Sequence, residues 1–206
     1  MTATMVAPRI DRGPGPAAPR ARAASIGLWV FMGVVTALFS LFAMAYLMRM
    51  NSTDAVTLAL PWQLWLSTAL LIAGSLTLLR AGAAASRVDA TRARGLLLAG
   101  GICAIAFLCV QLWAWRALLN AQVMPAGNPA GSFFYLLTAM HGLHVAGGLI
   151  AWAWVVRTFP REAPDGGWRI ALCARYWHFM LAVWLALFAL LAWVTPEVAR
   201  LICGTV

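Results

Sequence analysis

Three histidines are the side chains best suited to chemistry within the long apolar stretches of this sequence. His141 and His144 lie in the segment Ser132–Val156, which contains no Asp, Glu, Lys or Arg, and His178 lies in the apolar segment that follows. Imidazole nitrogens can ligate a metal ion, hold haem iron or form hydrogen bonds between helices. The positions of these three side chains therefore limit what the chain can do.

A metal site is the first possibility. At helical spacing His141 and His144 share one face with Thr138 and Gly148, but a zinc site needs at least three protein ligands and no carboxylate or cysteine lies suitably near. We therefore expect no metal site here. Because this face would be costly in lipid, we expect it to be buried in protein, with Gly142 and Ala146 beside it allowing a neighbouring helix to approach.

A haem held between two histidines is the second possibility. The predicted spans place His144 near the middle of its helix and His178 about 6 Å from the inner end of the next helix, so that their heights differ by about 12 Å. That difference is too large for one iron. We expect no cofactor in this chain, and we expect the histidines to form interhelical hydrogen bonds of about 0.6 kcal/mol each.

Carboxylates and cysteines give no further candidates for a catalytic site. Self-contained ion pumps usually need an ionisable group inside the membrane, whereas all six acidic residues lie in tails, in loops or just past a helix end. No CxxC spacing occurs, and a cysteine inside an apolar helix behaves as a small hydrophobic residue. The four cysteines are Cys103, Cys109, Cys173 and Cys203.

The composition is that of a polytopic membrane protein. Hydrophobic residues make up 63 % of the 206 residues and charged residues only 10 %, and the mean hydropathy is +0.83. We predict an all-α bundle of five transmembrane helices over residues 25–196, between a disordered tail rich in Arg, Pro and Ala at 1–24 and a short tail at 197–206. The predicted spans are about 26–48, 60–79, 95–115, 132–156 and 174–194.

The arginines predict the orientation of the bundle. Twelve fall in the N-terminal tail and in the second and fourth loops, and three fall on the other side: Arg49, Arg116 and Arg200. The positive-inside rule then places the N-terminus in the cytoplasm and the C-terminus in the periplasm. The net charge of +9 is explained by loops that face anionic lipid, with no nucleic-acid partner. Arg80 and Arg175 at inner helix ends either contact lipid head groups or only contribute to the charge that sets the topology.

Four segments resemble subunit III of the haem-copper terminal oxidases in its short, five-helix bacterial form. FFYLLTAMHGLHVAGGLI and ARYWHFMLAVWLALF are similar to the most specific motifs of that family, and LPWQLWLST and GICAIAFLCVQLWAW are similar to two weaker ones. The resemblance covers residues 26–194. Its signature residues are Gln111, His141, Gly142, His144, Gly148, Tyr176, Trp177 and His178.

The resemblance implies a non-catalytic accessory subunit in a bacterial inner membrane. Such a subunit packs against the catalytic subunit I, in a complex that also contains subunit II, and binds phospholipid. Haem and copper belong to the partner subunits, and the complex reduces O₂ to water with electrons from cytochrome c or quinol. The sequence leaves open which electron donor, haem types and lipids are used.

Two positions depart from the family pattern. Val35 stands where the family usually has an intramembrane glutamate, and Leu181 replaces an aspartate that follows the WHF motif. The loss of the glutamate keeps a second interpretation open, an accessory protein of the related nitric oxide reductases. A stand-alone transporter or b-type cytochrome is a third interpretation, from a different class of protein.

Overall fold

A computed structural model describes residues 17–51, 60–87, 89–124, 129–158 and 167–195, together with Glu197, Val198 and Leu201. Within these residues the fold is all-α, and five helices are long and apolar enough to cross a membrane. The predicted fold class is thus confirmed. The helices are α1 (Ala17–Met50), α2 (Gln63–Ser86), α3 (Ala90–Asn120), α4 (Pro129–Thr158) and α5 (Gly167–Trp193).

Most helices extend beyond the predicted spans, because apolar length limits only the part in hydrocarbon and the backbone stays helical beyond it. The helix α1 begins at Ala17, inside the stretch 1–24 that we expected to be disordered. That expectation is wrong for residues 17–24, since Ala and Arg are strong helix formers and Pro19 is tolerated in a first turn. Residues 1–16 and most of 197–206 lie outside the described residues.

The helix α5 is central to the bundle, because it packs against α1, α2 and α4. The helices α2 and α3 form the most extensive pair, a tight hairpin, and α3 also packs against α4. Large apolar side chains fill the interior, among them Phe107, Phe134, Trp177 and Trp184, which are all at most 2 % exposed. In contrast, α1 lies at the edge and carries many exposed apolar side chains, as expected of a surface that faces lipid or another membrane protein.

Glycines on α3 set its distance from the neighbouring helices. A Cβ on Gly100 would lie 2.6 Å from Cγ of Leu78 on α2, and one on Gly101 would lie 2.1 Å from the ring of Trp152 on α4. The predicted close approach at Gly142 is not found, since a Cβ there would make only an ordinary 3.7 Å contact with Leu108. A leucine side chain thus lies over Gly100 and an aromatic ring over Gly101, whereas Gly142 has space in front of it.

Candidate functional site

His141 lies in the centre of the bundle and is fully buried. Its ring contacts Phe39 of α1, Phe107 of α3 and Trp184 of α5, with ring centroids 6.3, 5.7 and 5.2 Å away. Neither ring nitrogen has a hydrogen-bond partner among the described residues. The interhelical hydrogen bond expected for His141 is therefore not formed, and the imidazole packs as an aromatic ring among rings from three helices.

His144, one turn further along α4, hydrogen-bonds within its own helix. Its Nδ1 lies 2.7 Å from the carbonyl oxygen of Met140, and because a carbonyl only accepts, Nδ1 is the protonated nitrogen. The ring also contacts Phe31 and Phe39 of α1. It is the backbone carbonyl of His144, and not its side chain, that bonds between helices, since it accepts from the Tyr176 hydroxyl at 2.8 Å.

Gly148 makes this α4–α5 contact possible. A Cβ on Gly148 would lie 2.6 Å from Cε1 of Tyr176 and 3.5 Å from Cζ2 of Trp177. The absence of a side chain lets the Tyr176 ring lie against the backbone of α4 and reach the His144 carbonyl. Trp177, beside it, is buried at 2 % exposure and belongs to the core. The signature residues His144, Gly148 and Tyr176 thus form one contact between α4 and α5.

His178 points to a different side of the bundle, where its Nδ1 hydrogen-bonds the hydroxyl of Ser75 on α2. The height argument against a pair of histidine ligands is wrong. Tyr176 bonds the His144 carbonyl, and His178 is only two residues from Tyr176, so that His144 and His178 lie within about one helical turn, roughly 5 Å, in height. The height of His178 differs from the predicted height because α5 begins at Gly167, seven residues before the predicted span. The two imidazoles nevertheless face different helices, α1 and α2.

Gln111 connects α3 to α2. Its Nε2 donates to Ser67 Oγ at 3.1 Å, while its Oε1 is buried without a donor among the described residues. Nearby, the Trp184 indole donates to Thr68 Oγ1 at 2.9 Å and joins α5 to α2. Trp184 could not be singled out from the sequence, because an indole partner on another helix has no local signal.

An apolar groove of about 880 Å³ runs between α1, α4 and α5. On α4 it extends from Leu143 to Val155, a length of about 18 Å along the helix. His144 lines the groove, and Arg169 lies at the end towards the α5 N-terminus, stacked on Trp154 and Trp168 at 4.6 and 5.3 Å. A long apolar groove with a cationic group at one end suits an amphiphilic molecule.

The two arginines singled out from the sequence have different surroundings. Arg175 on α5 donates to Ser25 Oγ at 3.1 Å and lies over the Trp29 ring, so it connects α5 to α1. Arg80 on α2 lines a second cavity, with Arg87 and Arg92, at the turn between α2 and α3. Both arginines lie at the same end of the bundle, where α2 ends and α5 begins.

Val35 and Leu181, the two residues that depart from the family pattern, are apolar and have apolar neighbours. Val35 is buried at 2 % exposure and belongs to the core. Leu181 is half-buried and packs against the same core. Among the described residues, no group of three His, Cys, Asp or Glu side chains could hold a metal ion, and Cys103, Cys109 and Cys173 are free thiols.

Five apolar helices joined by buried polar contacts define a polytopic helical membrane protein. The family model for cytochrome c oxidase subunit III matches residues 27–195, and the chain belongs to that family.

Individual relatives agree with this assignment. The chain is 35 % identical over 126 residues to a protein of Mycobacterium tuberculosis (strain ATCC 25618 / H37Rv) named probable cytochrome c oxidase subunit 3, with 60 % of this chain and 62 % of the relative covered. It thus spans about three fifths of that protein. It is 29 % identical over 178 residues to cytochrome c oxidase subunit 3 of Bacillus subtilis (strain 168), where 79 % of this chain and 82 % of the relative are covered.

Proposed function

We propose that this chain is a non-catalytic accessory subunit of a haem-copper oxygen reductase, which packs against the catalytic subunit I in a complex that also contains subunit II. The family match over residues 27–195 carries the proposal. The contacts around the histidines support it, because each connects helices or fills the core. The complex would reduce O₂ to water with electrons from cytochrome c or quinol, on haem and copper held by its partners.

The arginine distribution supports an orientation with the N-terminus in the cytoplasm and the C-terminus in the periplasm of a bacterial inner membrane. The ends of α2 and α4 and the starts of α1, α3 and α5 then lie at the cytoplasmic side. The contact of Arg175 on α5 with Ser25 on α1 is consistent with the placement of these two helix starts at one end of the bundle.

Co-purification tests the assignment to a complex. A tagged full-length chain, extracted gently from its native membrane, is expected to bring down a larger haem-bearing chain whose catalytic activity consumes O₂. The chain separated from that complex is expected to show no haem absorbance. A haem spectrum from the separated chain would contradict the proposal and favour a b-type cytochrome, and recovery without any haem-bearing partner would also contradict it.

A second candidate is an accessory protein of a nitric oxide reductase. The observation that favours it is Val35, a buried valine where oxygen reductases of this family usually have a glutamate. Gas consumption by the same purified complex distinguishes the two candidates, because the second requires consumption of NO in place of O₂.

The groove between α1, α4 and α5 is proposed as the binding site of a phospholipid. Its walls are apolar along about 18 Å of helix, enough to accommodate much of an acyl chain, and Arg169 at one end suits a phosphate.

Filling the groove tests this part of the proposal. A Cβ at Gly147, which lines the groove, or at Gly82, which does not, would meet nothing within 4 Å. Gly147→Leu is expected to place a side chain in the groove and reduce the phospholipid that co-purifies, as counted by mass spectrometry of lipid extracts. Gly82→Leu makes the same chemical change outside the groove and is expected to retain the lipid. Equal lipid content in both variants would contradict the proposal.

A further inference from the structure

The turn between α2 and α3 holds a cavity of about 550 Å³ that the contacts described so far do not use. Its lining residues are Arg80, Ala83, Ala84, Arg87, Asp89, Arg92 and Leu96. The cavity is separate from the apolar groove, because no residue lines both. Three of its seven lining residues are arginines, which makes its chemistry very different from that of the groove.

Helix geometry brings the three guanidinium groups to one side of the hairpin. Arg80 lies on α2, and Arg87 is the C-cap residue that directly follows this helix. They are seven residues apart, close to two full turns, and both line the cavity. Arg92 lies in the first turn of α3. The small side chains of Ala83 and Ala84, between Arg80 and Arg87, leave space in front of the helix.

Among the described residues that line the cavity, positive charges outnumber negative ones. Of the described residues in its lining, Asp89 alone carries a carboxylate. This carboxylate accepts from the backbone N–H of Arg92 at 3.1 Å and caps α3. Within the described residues, no guanidinium group of Arg80, Arg87 or Arg92 forms a hydrogen bond or an ion pair. Three cations and one carboxylate leave a net charge of +2 around an open cavity, which favours an anion.

The position of the cavity indicates which class of anion it would bind. It lies where the apolar part of α2 ends, at the end of the bundle where arginines are most frequent, and Leu96 provides an apolar wall on the side of the membrane. Guanidinium groups bind phosphate in bidentate geometry, and basic side chains at this level attract anionic lipids by about 1 kcal/mol each. We propose that Arg80, Arg87 and Arg92 bind the phosphate group of an anionic phospholipid.

Lipid titration tests the proposal. Phosphatidylglycerol is titrated onto the full-length chain, with any subunits that remain bound to it, and occupancy is counted by native mass spectrometry. Arg80→Gln/Arg92→Gln removes two arginine charges and is expected to weaken binding at one site about thirtyfold. Arg94→Gln/Arg157→Gln removes the same charge from exposed positions at the same end of the bundle that do not line the cavity, and is expected to leave that site unchanged. Equal losses in both variants would overturn the proposal.

A variant of opposite sign makes the test sharper. Asp89→Asn keeps a side chain that can cap α3 and removes the one negative charge among the described residues of the cavity lining. Phosphatidylglycerol is therefore expected to bind more tightly. Unchanged or weaker binding would contradict the proposal. If inorganic phosphate alone displaces the lipid at equal concentration, the site binds free phosphate and the assignment to a phospholipid is wrong. Failure of this test leaves the oxidase assignment unaffected, because that assignment depends on co-purification.

Discussion

At the scale of single residues, the fully buried His141 and the partly buried His178 show how differently two imidazoles of one chain can be used. His178 has a hydrogen-bond partner in Ser75 of another helix. His141 has three aromatic neighbours, and neither of its nitrogens has a partner among the described residues. A buried polar group without a partner typically costs about 1–3 kcal/mol, whereas a hydrogen bond between membrane helices contributes about 0.6 kcal/mol.

Replacement of each histidine by leucine is expected to give opposite results. His141→Leu removes a polar group without a hydrogen bond and nearly conserves volume, so the thermal unfolding midpoint of the full-length chain in detergent should stay the same or rise. His178→Leu removes the bond to Ser75 and should lower stability by about 0.6 kcal/mol and at most about 1.7 kcal/mol. A larger loss for His141→Leu than for His178→Leu would show that His141 has a polar partner after all.

The burial of His141 could be predicted from the sequence, but the partners of His141 and His178 could not. A face with two imidazoles and a threonine is costly in lipid, which is a local property of the helix. Whether the nearest atom on the next helix is a serine hydroxyl or a phenylalanine ring depends on helix rotation and height. No local pattern contains that information.

At the scale of helices, α4 and α5 approach closely at Gly148. The Tyr176 ring occupies the space where a side chain at position 148 would lie, and its hydroxyl bonds the His144 carbonyl. The neighbouring Gly147 has open space in front of it. The two adjacent glycines therefore form a matched pair for testing whether this contact stabilises the bundle.

The same substitution at these two glycines is expected to differ in effect. Gly148→Ala would force the Tyr176 ring to move and should destabilise the chain by about 1–3 kcal/mol. Gly147→Ala makes no new contact and should be neutral or slightly stabilising, because alanine favours the helix. Thermal unfolding in the same detergent measures both. Equal stability of the two variants would mean that the α4–α5 contact is not as close as the structure describes.

At the scale of the whole molecule, the orientation in the membrane follows from charge and can be measured directly. In a chain whose four native cysteines are replaced by alanine, Ala121→Cys after α3 and Ser86→Cys at the end of α2 place single thiols at opposite ends of the bundle, both at exposed positions. A membrane-impermeant maleimide is expected to label Ala121→Cys in intact cells and Ser86→Cys only after lysis. The reverse pattern would contradict the proposed orientation.

The sequence by itself determined the properties that depend on local composition. The number of helices follows from the count of apolar segments, the proposed orientation follows from arginines in the loops, and the family follows from motifs such as HGLHV and YWHF. Each apolar segment, each arginine-rich loop and each motif can be identified within about twenty-five consecutive residues, the length of chain that one membrane crossing requires.

Only the tertiary structure decided which side chains meet. The α5 helix starts at Gly167, which brings His178 to nearly the height of His144, while the rotation of α4 and α5 turns the two imidazoles to different helices. The groove between α1, α4 and α5 and the arginine cavity at the α2–α3 turn also arise from the packing of separate segments. Helix height and rotation are set by the combined packing of all five helices, so no single stretch of sequence specifies them.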